Sequence, residues 1–282
     1  MSSGQLSEAV QAFDSVAESF DARFGEWRSV AAQRDAVRAE LLRAFPPGAR
    51  ILEIGGGTGE DAAWLASRGR IVLLTDASPS MVRVASDKLR AHAAPPPLTL
   101  AAEELTTLAD DRDAAGLASF DGAFSNFAAL NCVPELAPVA RGLARLLRPG
   151  ARALLVLFGT TSPGELAVQL ARGHVAAAFR RRSRGDVSAR LGGHAFVVRY
   201  HRSRDLRRAM SPWFRLVARR GIGVFVPPSA AEPWISRHPR LLSAMATADR
   251  AASRPLALLG DHILFELERT AVPAPGTGGT AR

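Results

Sequence analysis

With 282 residues, 47% of them hydrophobic, the chain can bury a sizeable core, and one elaborated domain accounts for its length. No window approaches the roughly 18 apolar residues of a membrane span. The longest comparable run is Ala153–Phe158, and the opening Met1-Ser-Ser-Gly-Gln-Leu-Ser-Glu8 lacks the positive start and apolar core of a signal peptide, so a cytoplasmic location is expected. Cys132 is the single cysteine, which excludes an intrachain disulfide and a thiol cluster for metal, and no metal is expected. The net charge is +9, yet nearly every base is arginine, with Lys88 the one lysine; biased composition explains this skew more simply than a nucleic-acid footprint.

In chain order, residues 5–45 carry helical periodicity through Val10, Phe13, Val16, Phe20, Trp27, Val30, Val37 and Leu41, predicting two helices that end at Phe45-Pro46-Pro47-Gly48. Ile51, Leu52 and Ile54 then suit a buried parallel strand running into Gly55, Gly57 and Gly59 and a helix. Thr58 is expected to cap that helix, Glu60 and Asp61 favour its first turn, and Gly69 stops it. A second buried strand, Ile71–Thr75, ends in Asp76; Ser78-Pro79 open a helix with Met81, Val82, Ala85 and Leu89 on one face. Two further strands, Leu98–Ala101 and Phe120–Phe124, lead into Ala102-Glu103 and Ser125-Asn126-Phe127.

A helix over Pro138–Leu147 precedes a fifth strand, Ala153–Phe158. From Thr160 to Ser211 the pattern changes to a helical stretch, the arginine run Phe179–Arg184, the pair Gly192-Gly193 and a strand Ala195–Tyr200. Phe214–Val226 reads as a sixth strand with a glycine-broken extension and His262–Glu268 as a seventh, returning antiparallel. The tail after Thr270 has the composition of a disordered segment.

The glycine loop predicts a nucleoside-type cofactor, and charge selects among candidates. A dinucleotide pattern starting at Gly55 requires Gly or Ala at position 60, where Glu60 stands beside Asp61. Carboxylates there oppose a pyrophosphate. S-adenosylmethionine (SAM) carries a sulfonium cation and no phosphate, so Glu53, Asp76 and Glu103 attract it. Asp76 follows Gly55 by 76 − 55 = 21 positions, close to the roughly 20 expected of an acid on ribose hydroxyls.

Glu53-x-Gly55-x-Gly57-x-Gly59, Asp76, Ala102-Glu103 and Leu147-Arg148-Pro149-Gly150 together resemble the class I SAM-dependent methyltransferases, specifically the ubiquinone and menaquinone methyltransferase-like, type 11 group. The resemblance covers roughly residues 10–160. It implies an α/β, Rossmann-like sheet of seven mostly parallel strands with an antiparallel last strand, helices on both faces, a helical N-terminal cap and an insertion between strands five and six. The corresponding segments are a cap over 1–46, a SAM-binding core over 47–159, a lid over 160–211, the end of the core over 212–270 and a disordered tail over 271–282.

The resemblance further implies cofactor contacts from Glu53, Gly55, Gly56, Gly57, Gly59, Asp76, Ala77, Met81, Ala102, Glu103 and Asn126. Acceptor contacts are expected from Phe20, Trp27, Phe127, Asn131 and Tyr200, with Phe24 also at the mouth. Asn131, His201 and Tyr200 are the candidates for a catalytic role. Two departures stand out: Ala101 replaces an acid that often contacts adenine, and Phe20-Asp21 replaces Tyr-Asp. The expected activity (EC 2.1.1.-) is methyl transfer to a small metabolite, lipid-like or quinone-like acceptor at an unspecified O, C or N atom. An RNA or DNA methyltransferase and a non-catalytic SAM-binding module are the alternatives.

Overall fold

The computed structural model describes residues 7–92, 94–182, 186–211 and 213–271; residues 272–282 of the expected disordered tail and 183–185 near the arginine run lie outside the described residues. Nine strands are formed among the described residues: β1 (Arg50–Ile54), β2 (Ile71–Asp76), β3 (Leu98–Thr99), β4 (Phe120–Ser125), β5 (Leu147–Phe158), β6 (Asp186–Leu191), β7 (His194–Arg199), β8 (Phe214–Ile222) and β9 (His262–Arg269). Seven make one sheet in the order β3-β2-β1-β4-β5-β9-β8, and β6-β7 form a separate hairpin. The pairs from β3 to β5 are parallel, while β9 runs antiparallel to both β5 and β8. The α/β fold with a reversed last strand is the one expected.

Eleven helices surround this sheet among the described residues. The first seven are α1 (Glu8–Asp14), α2 (Phe20–Phe24), α3 (Arg28–Ala44), α4 (Glu60–Ala66), α5 (Pro79–Leu89), α6 (Leu105–Ala114) and α7 (Leu136–Leu146). They are followed by α8 (Pro163–Ala171), α9 (Val175–Phe179), α10 (Ser203–Met210) and α11 (Pro239–Ala252). Two apolar layers result because a parallel strand buries both faces. Ile51, Val72, Leu74, Phe124 and Leu154 meet Val37, Leu41 and Phe45 from α3 and its end on one side. Leu52, Ile54, Leu73, Ala123 and Leu155 meet Leu105, Leu108, Val139 and Leu143 from α6 and α7 on the other. No helix of the described residues is long and apolar enough to cross a membrane.

Four expectations need correction. The amino-terminal segment is not two helices but α1, a 3₁₀ turn over Ala17–Ser19, α2 and α3. The hydroxyls of Ser15 and Ser19 donate to the carbonyls of Ala12 and Val16, and such back-bonding competes with helix continuation. Thr58 does not cap α4: Gly59, at φ 80°, occupies the N-cap, and the Thr58 hydroxyl donates instead to Asp21 Oδ1 at 2.7 Å. The third strand is only Leu98–Thr99, with Leu100 N–H held by the Asp76 carbonyl. The sixth strand stops at Ile222, because the Asp249 carboxylate accepts the Phe225 and Val226 N–H groups that a longer strand would pair.

The insertion holds a strand that the reading did not anticipate, β6, which pairs antiparallel with β7 through Gly192 and Gly193 at φ 57° and 84°. This hairpin lies on the amino-terminal cap: Ala12 packs with Phe196 and Val198, and the Phe13 and Phe196 rings meet edge to face at 5.6 Å. Part of the arginine run is drawn into the core. Arg181 is buried, paired with Glu165 and Asp261 and donating to the carbonyls of Gly159 and Asp261.

Phe45 occupies the space a Cβ on Gly122 would need, its Cε1 only 2.2 Å from that position. Phe45→Ala is therefore expected to cost ~3–5 kcal/mol in urea unfolding, the range for a buried aromatic that leaves a cavity. A loss below ~1 kcal/mol would contradict this packing.

Candidate functional site

The carboxyl ends of β1, β2 and β4 converge on the glycine loop, the position at which open α/β sheets bind ligands. Gly55 and Gly56 N–H both donate to the Thr75 carbonyl, which folds the loop back over β2. Gly55 has φ 65°, and a Cβ there would meet that of Ala129 at 2.4 Å. Gly57, at φ 55°, has nothing within 4 Å of its notional Cβ, so the loop presents bare backbone to open space. Gly59 closes the loop against α5, with Ala85 Cβ 3.0 Å from its own notional Cβ.

Two carboxylates floor this cradle. Asp76 accepts N–H bonds from Gly57 at 2.8 Å and Ser78 at 2.9 Å, one on each oxygen. A carboxylate has about four acceptor positions, so capacity remains for hydroxyls. Burial pushes the Asp76 pKa up, against the opposing pull of the Ser78, Gly57 and Ala77 N–H groups. Glu53 is buried and its Oε2 has no hydrogen-bond partner among the described residues. Burial, and then the charges of Asp61 and Asp76, hold its carboxyl well above the usual range, while Arg34 and Arg38 both pull it back down. An orphaned acid of this kind suits a cation, and SAM brings two, a sulfonium and an ammonium.

The cap supplies groups that motif reading passed over. Arg38 donates through Nε to Asp61 Oδ1 at 2.7 Å and to the Glu60 carbonyl, and lies over the Trp64 ring. Asn126 Nδ2 donates to the other Asp61 oxygen at 2.7 Å, and its own carbonyl oxygen accepts from Phe127 N–H. Arg34 has a buried Nε without a partner among the described residues, approaches Glu60 at 3.6 Å and covers the Phe127 ring at 4.8 Å. Asp21 joins Thr58 to Lys88, which also reaches Glu60 at 2.5 Å. Asp14 accepts from Ser78 and Ser80, tying α1 to the start of α5. The available signal was the i, i+4 spacing of Arg34 and Arg38 on one face of a predicted helix.

A cavity of about 250 Å³ opens beside the loop, lined by Phe20, Asp21, Phe24, Val30, Arg34, Arg38 and Glu60 among others. Trp27 meets Phe24 edge-on at 5.0 Å, and Phe24 meets Phe20 at 4.7 Å, so the three aromatics expected at a mouth form one cluster there. A larger hollow of about 510 Å³ lies at the outer edge of β8 between Leu216 and Leu259 and has no carboxylate in its lining, which makes it the weaker candidate for a cationic ligand. Met81 is buried against Val16 and Ala17 of the cap, and Ala102 and Glu103 start the 3₁₀ turn after β3, both half-buried.

On the opposite side of the β4 end, Phe127 and Ala128 adopt φ 46° and 60°, a left-handed turn in two non-glycine residues. Such strain gathers where a loop is held for a ligand. Asn131 is buried, with its amide donating to the Arg199 carbonyl at 2.6 Å and its oxygen accepting Phe158 N–H at 3.0 Å, so it clamps β7 to the end of β5. His201 has Nε2 2.9 Å from the Val133 carbonyl, and burial lowers its pKa. Tyr200 lies 5.7 Å from Phe158, and burial raises its phenol pKa. Cys132 packs in the cap–hairpin cluster, and burial pushes its thiol up to about 11, an inert core environment. Among the described residues no group of three or more His, Cys, Asp or Glu is placed to hold a metal.

Residues 51–150 match the family model described as a methyltransferase domain. Over 162 residues, 56% of this chain, the sequence is 35% identical to the biotin biosynthesis bifunctional protein BioHC of Cellvibrio japonicus, and the match spans only 29% of that protein's length. A SAM-dependent methyltransferase structure from Methanosarcina mazei is similar with TM-score 0.53 and 18% identity, covering 82% of this chain and 97% of that one. The 1,6-didemethyltoxoflavin-N1-methyltransferase of Burkholderia thailandensis, with bound 1,6-didemethyltoxoflavin and S-adenosylhomocysteine, is similar with TM-score 0.51 and 19% identity, covering 93% and 88%. At these identities the two structures establish a shared fold.

The raised Glu53 pKa has a consequence for stability. The folded protein keeps a proton on Glu53 that the unfolded chain releases near 4.5, so the stability this gives is complete below that value and declines as pH rises toward the folded pKa. Glu53→Gln cannot ionise and escapes the decline. In ligand-free thermal unfolding its stability relative to the natural protein should improve steadily from pH 4.5 toward neutrality. A difference independent of pH would contradict the buried, orphaned carboxyl.

Proposed function

We propose that this chain, whose residues 51–150 match a methyltransferase domain, is a class I S-adenosylmethionine-dependent methyltransferase that passes a methyl group to a small-molecule acceptor held between the glycine loop and the insertion over 160–211. The observation that carries the reading is Glu53, a buried acid with an unpartnered oxygen, at the floor of a loop whose Gly57 faces open space. The bound cofactor supplies a methyl carbon attached to a positively charged sulfur. The chain's own residues bind, orient and exclude water, which for an in-line displacement is most of the work.

In this reading Asp76 offers its remaining acceptor positions to the ribose hydroxyls, Glu53 takes the ammonium and Arg34, through its free Nε, takes the carboxylate. Gly55, Gly56, Gly57, Gly59 and Ala77 provide close backbone, while Met81, Ala102 and Glu103 border the adenine. Asn126 acts through Asp61, which in turn fixes Arg38. Phe20, Trp27, Phe127 and Tyr200 form the acceptor's apolar surroundings, and Asn131 positions Phe158 and the hairpin. The finer assignment to the ubiquinone and menaquinone methyltransferase-like group rests on the motifs alone, and so does a lipid-like or quinone-like acceptor. The 1,6-didemethyltoxoflavin bound to the Burkholderia thailandensis protein supports a small-molecule acceptor here. Nucleic acid fits less well, because Arg180 and Arg181 of the arginine run are spent on Glu165 and Asp261.

Asp76→Ala removes a charged acceptor, and a hydrogen bond to a charged group contributes ~1.5–3 kcal/mol. S-adenosylhomocysteine affinity measured by calorimetry should therefore fall roughly 10- to 150-fold. An affinity equal to that of the natural protein would remove the cradle from its proposed role. In parallel, labelled methyl from SAM should appear on a low-molecular-weight component of a metabolite extract.

A further inference from the structure

The methyl-transfer reading leaves one buried constellation unused, at the junction of β5, β9 and the lid. Asp261 and His262 stand at the head of β9, directly across from Phe158 at the end of β5. His262 Nδ1 lies 3.3 Å from Asp261 Oδ2, and Gln33 Nε2 donates to the same oxygen at 3.4 Å. The other Asp261 oxygen is held by Arg181 at 2.5 Å. Burial pushes the Asp261 pKa up, but its interactions with the His262 ring and with the Arg181 guanidinium outweigh this and keep it a carboxylate. It therefore holds the His262 ring with Nδ1 as the donor, which leaves Nε2 as the acceptor.

His262 is 7% exposed, and its Nε2 has no hydrogen-bond partner among the described residues. The ring stacks on Phe158 at 4.9 Å and 28°, and stands edge-on to Phe127 at 6.0 Å and 87°. Phe127 is the strained residue after β4 whose other contact is Arg34, so its ring is common to the cofactor side and the histidine. The remaining charged or titratable groups around the dyad are Arg181, with Glu165 and Arg180 behind it, and Tyr200, whose ring faces Phe158.

We infer that His262, oriented by Asp261, is the base that deprotonates the acceptor, and that the acceptor is a planar aromatic hydroxyl lying among the Phe127, Phe158 and Tyr200 rings. The inference rests on the methyl-transfer reading. The hydroxyl proton passes to Nε2; the oxygen's electron pair forms the bond to the methyl carbon as the carbon–sulfur bond breaks, its electrons going to sulfur; the imidazolium then returns its proton to water. An aromatic hydroxyl fits both features of the place: flat apolar walls suit a ring, and an imidazole nitrogen held as an acceptor can take the hydroxyl proton in the transition state. His262 is then a catalytic residue, and Asp261 a positioning residue that acts through it.

The test uses the full-length protein, SAM and phenols of graded acidity from para-nitrophenol to para-methoxyphenol. His262→Gln should lower kcat by about a hundredfold to ten-thousandfold on the least acidic phenol and progressively less as acceptor acidity rises. Asp261→Asn should show the same graded loss in kcat with KM steady, since the tautomer changes and the walls do not. S-adenosylhomocysteine binding by each variant reports that it folds. A readout without turnover is the spectrum of para-nitrophenol in the S-adenosylhomocysteine complex, at a pH where the free phenol is un-ionised. The natural protein should bring out the phenolate absorbance and His262→Gln should not. An equal loss across the series, no phenolate band, or no methylation of any phenol by protein that binds S-adenosylhomocysteine overturns the inference. Failure of the natural protein to bind S-adenosylhomocysteine overturns the underlying reading and the inference with it.

Discussion

A carboxyl group at the inner end of a central parallel strand is among the most expensive groups a fold can bury, and Glu53 is placed there without a partner for one oxygen. Two arginines of α3 stand near enough to neutralise it, yet Arg38 is committed to Asp61 and the Glu60 carbonyl, and Arg34 lies over Phe127. The local network is thus arranged so that the acid keeps its demand for a cation. In the free protein burial raises its pKa, which favours the protonated form. The glycine loop sets bare backbone beside the same space, so a cation can approach without meeting a side chain.

Closure of this space comes from elements outside the sheet. Asp14 and Asp21 draw the cap onto Ser78, Ser80, Thr58 and Lys88, and the hairpin β6–β7 rests on α1. At the far side Asn131 joins the hairpin to β5, and Arg181 joins the segment after α9 to Asp261 at the head of β9. The glycine-loop side and the insertion side therefore share the ends of β4, β5 and β9 as their frame. Isolated surface ion pairs contribute little to stability, whereas the buried Arg181–Asp261 pair chiefly fixes geometry, since removing one partner leaves an uncompensated charge.

Much of this frame was legible in the sequence because it depends on local rules. Apolar runs such as Ile71–Thr75 and glycines at fixed spacing after Ile54 report strand, loop and helix directly, and Asp76 ends β2 beside the loop, where it accepts Gly57 N–H. What escaped reading depends on long-range partners. Strand β6 is half-exposed and lies on a cap nearly 180 residues earlier, so its alternation carried no core signal. The Thr58 hydroxyl left the helix cap for Asp21 because Gly59 already supplied the turn in the left-handed region. His262 looked like the first residue of an ordinary strand; its chemistry arises only when Phe158, Phe127 and Arg181 are brought to it by the sheet and the lid.

The central claim is that the cradle's unpaired acid exchanges its proton for the cationic cofactor. The most direct measurement is the number of protons released on SAM binding, obtained from calorimetric titrations at one mildly acidic pH in buffers of different ionisation enthalpy. The account predicts tight binding with net proton release that disappears in Glu53→Gln. Binding without proton release, or a release that persists unchanged in that variant, would contradict it.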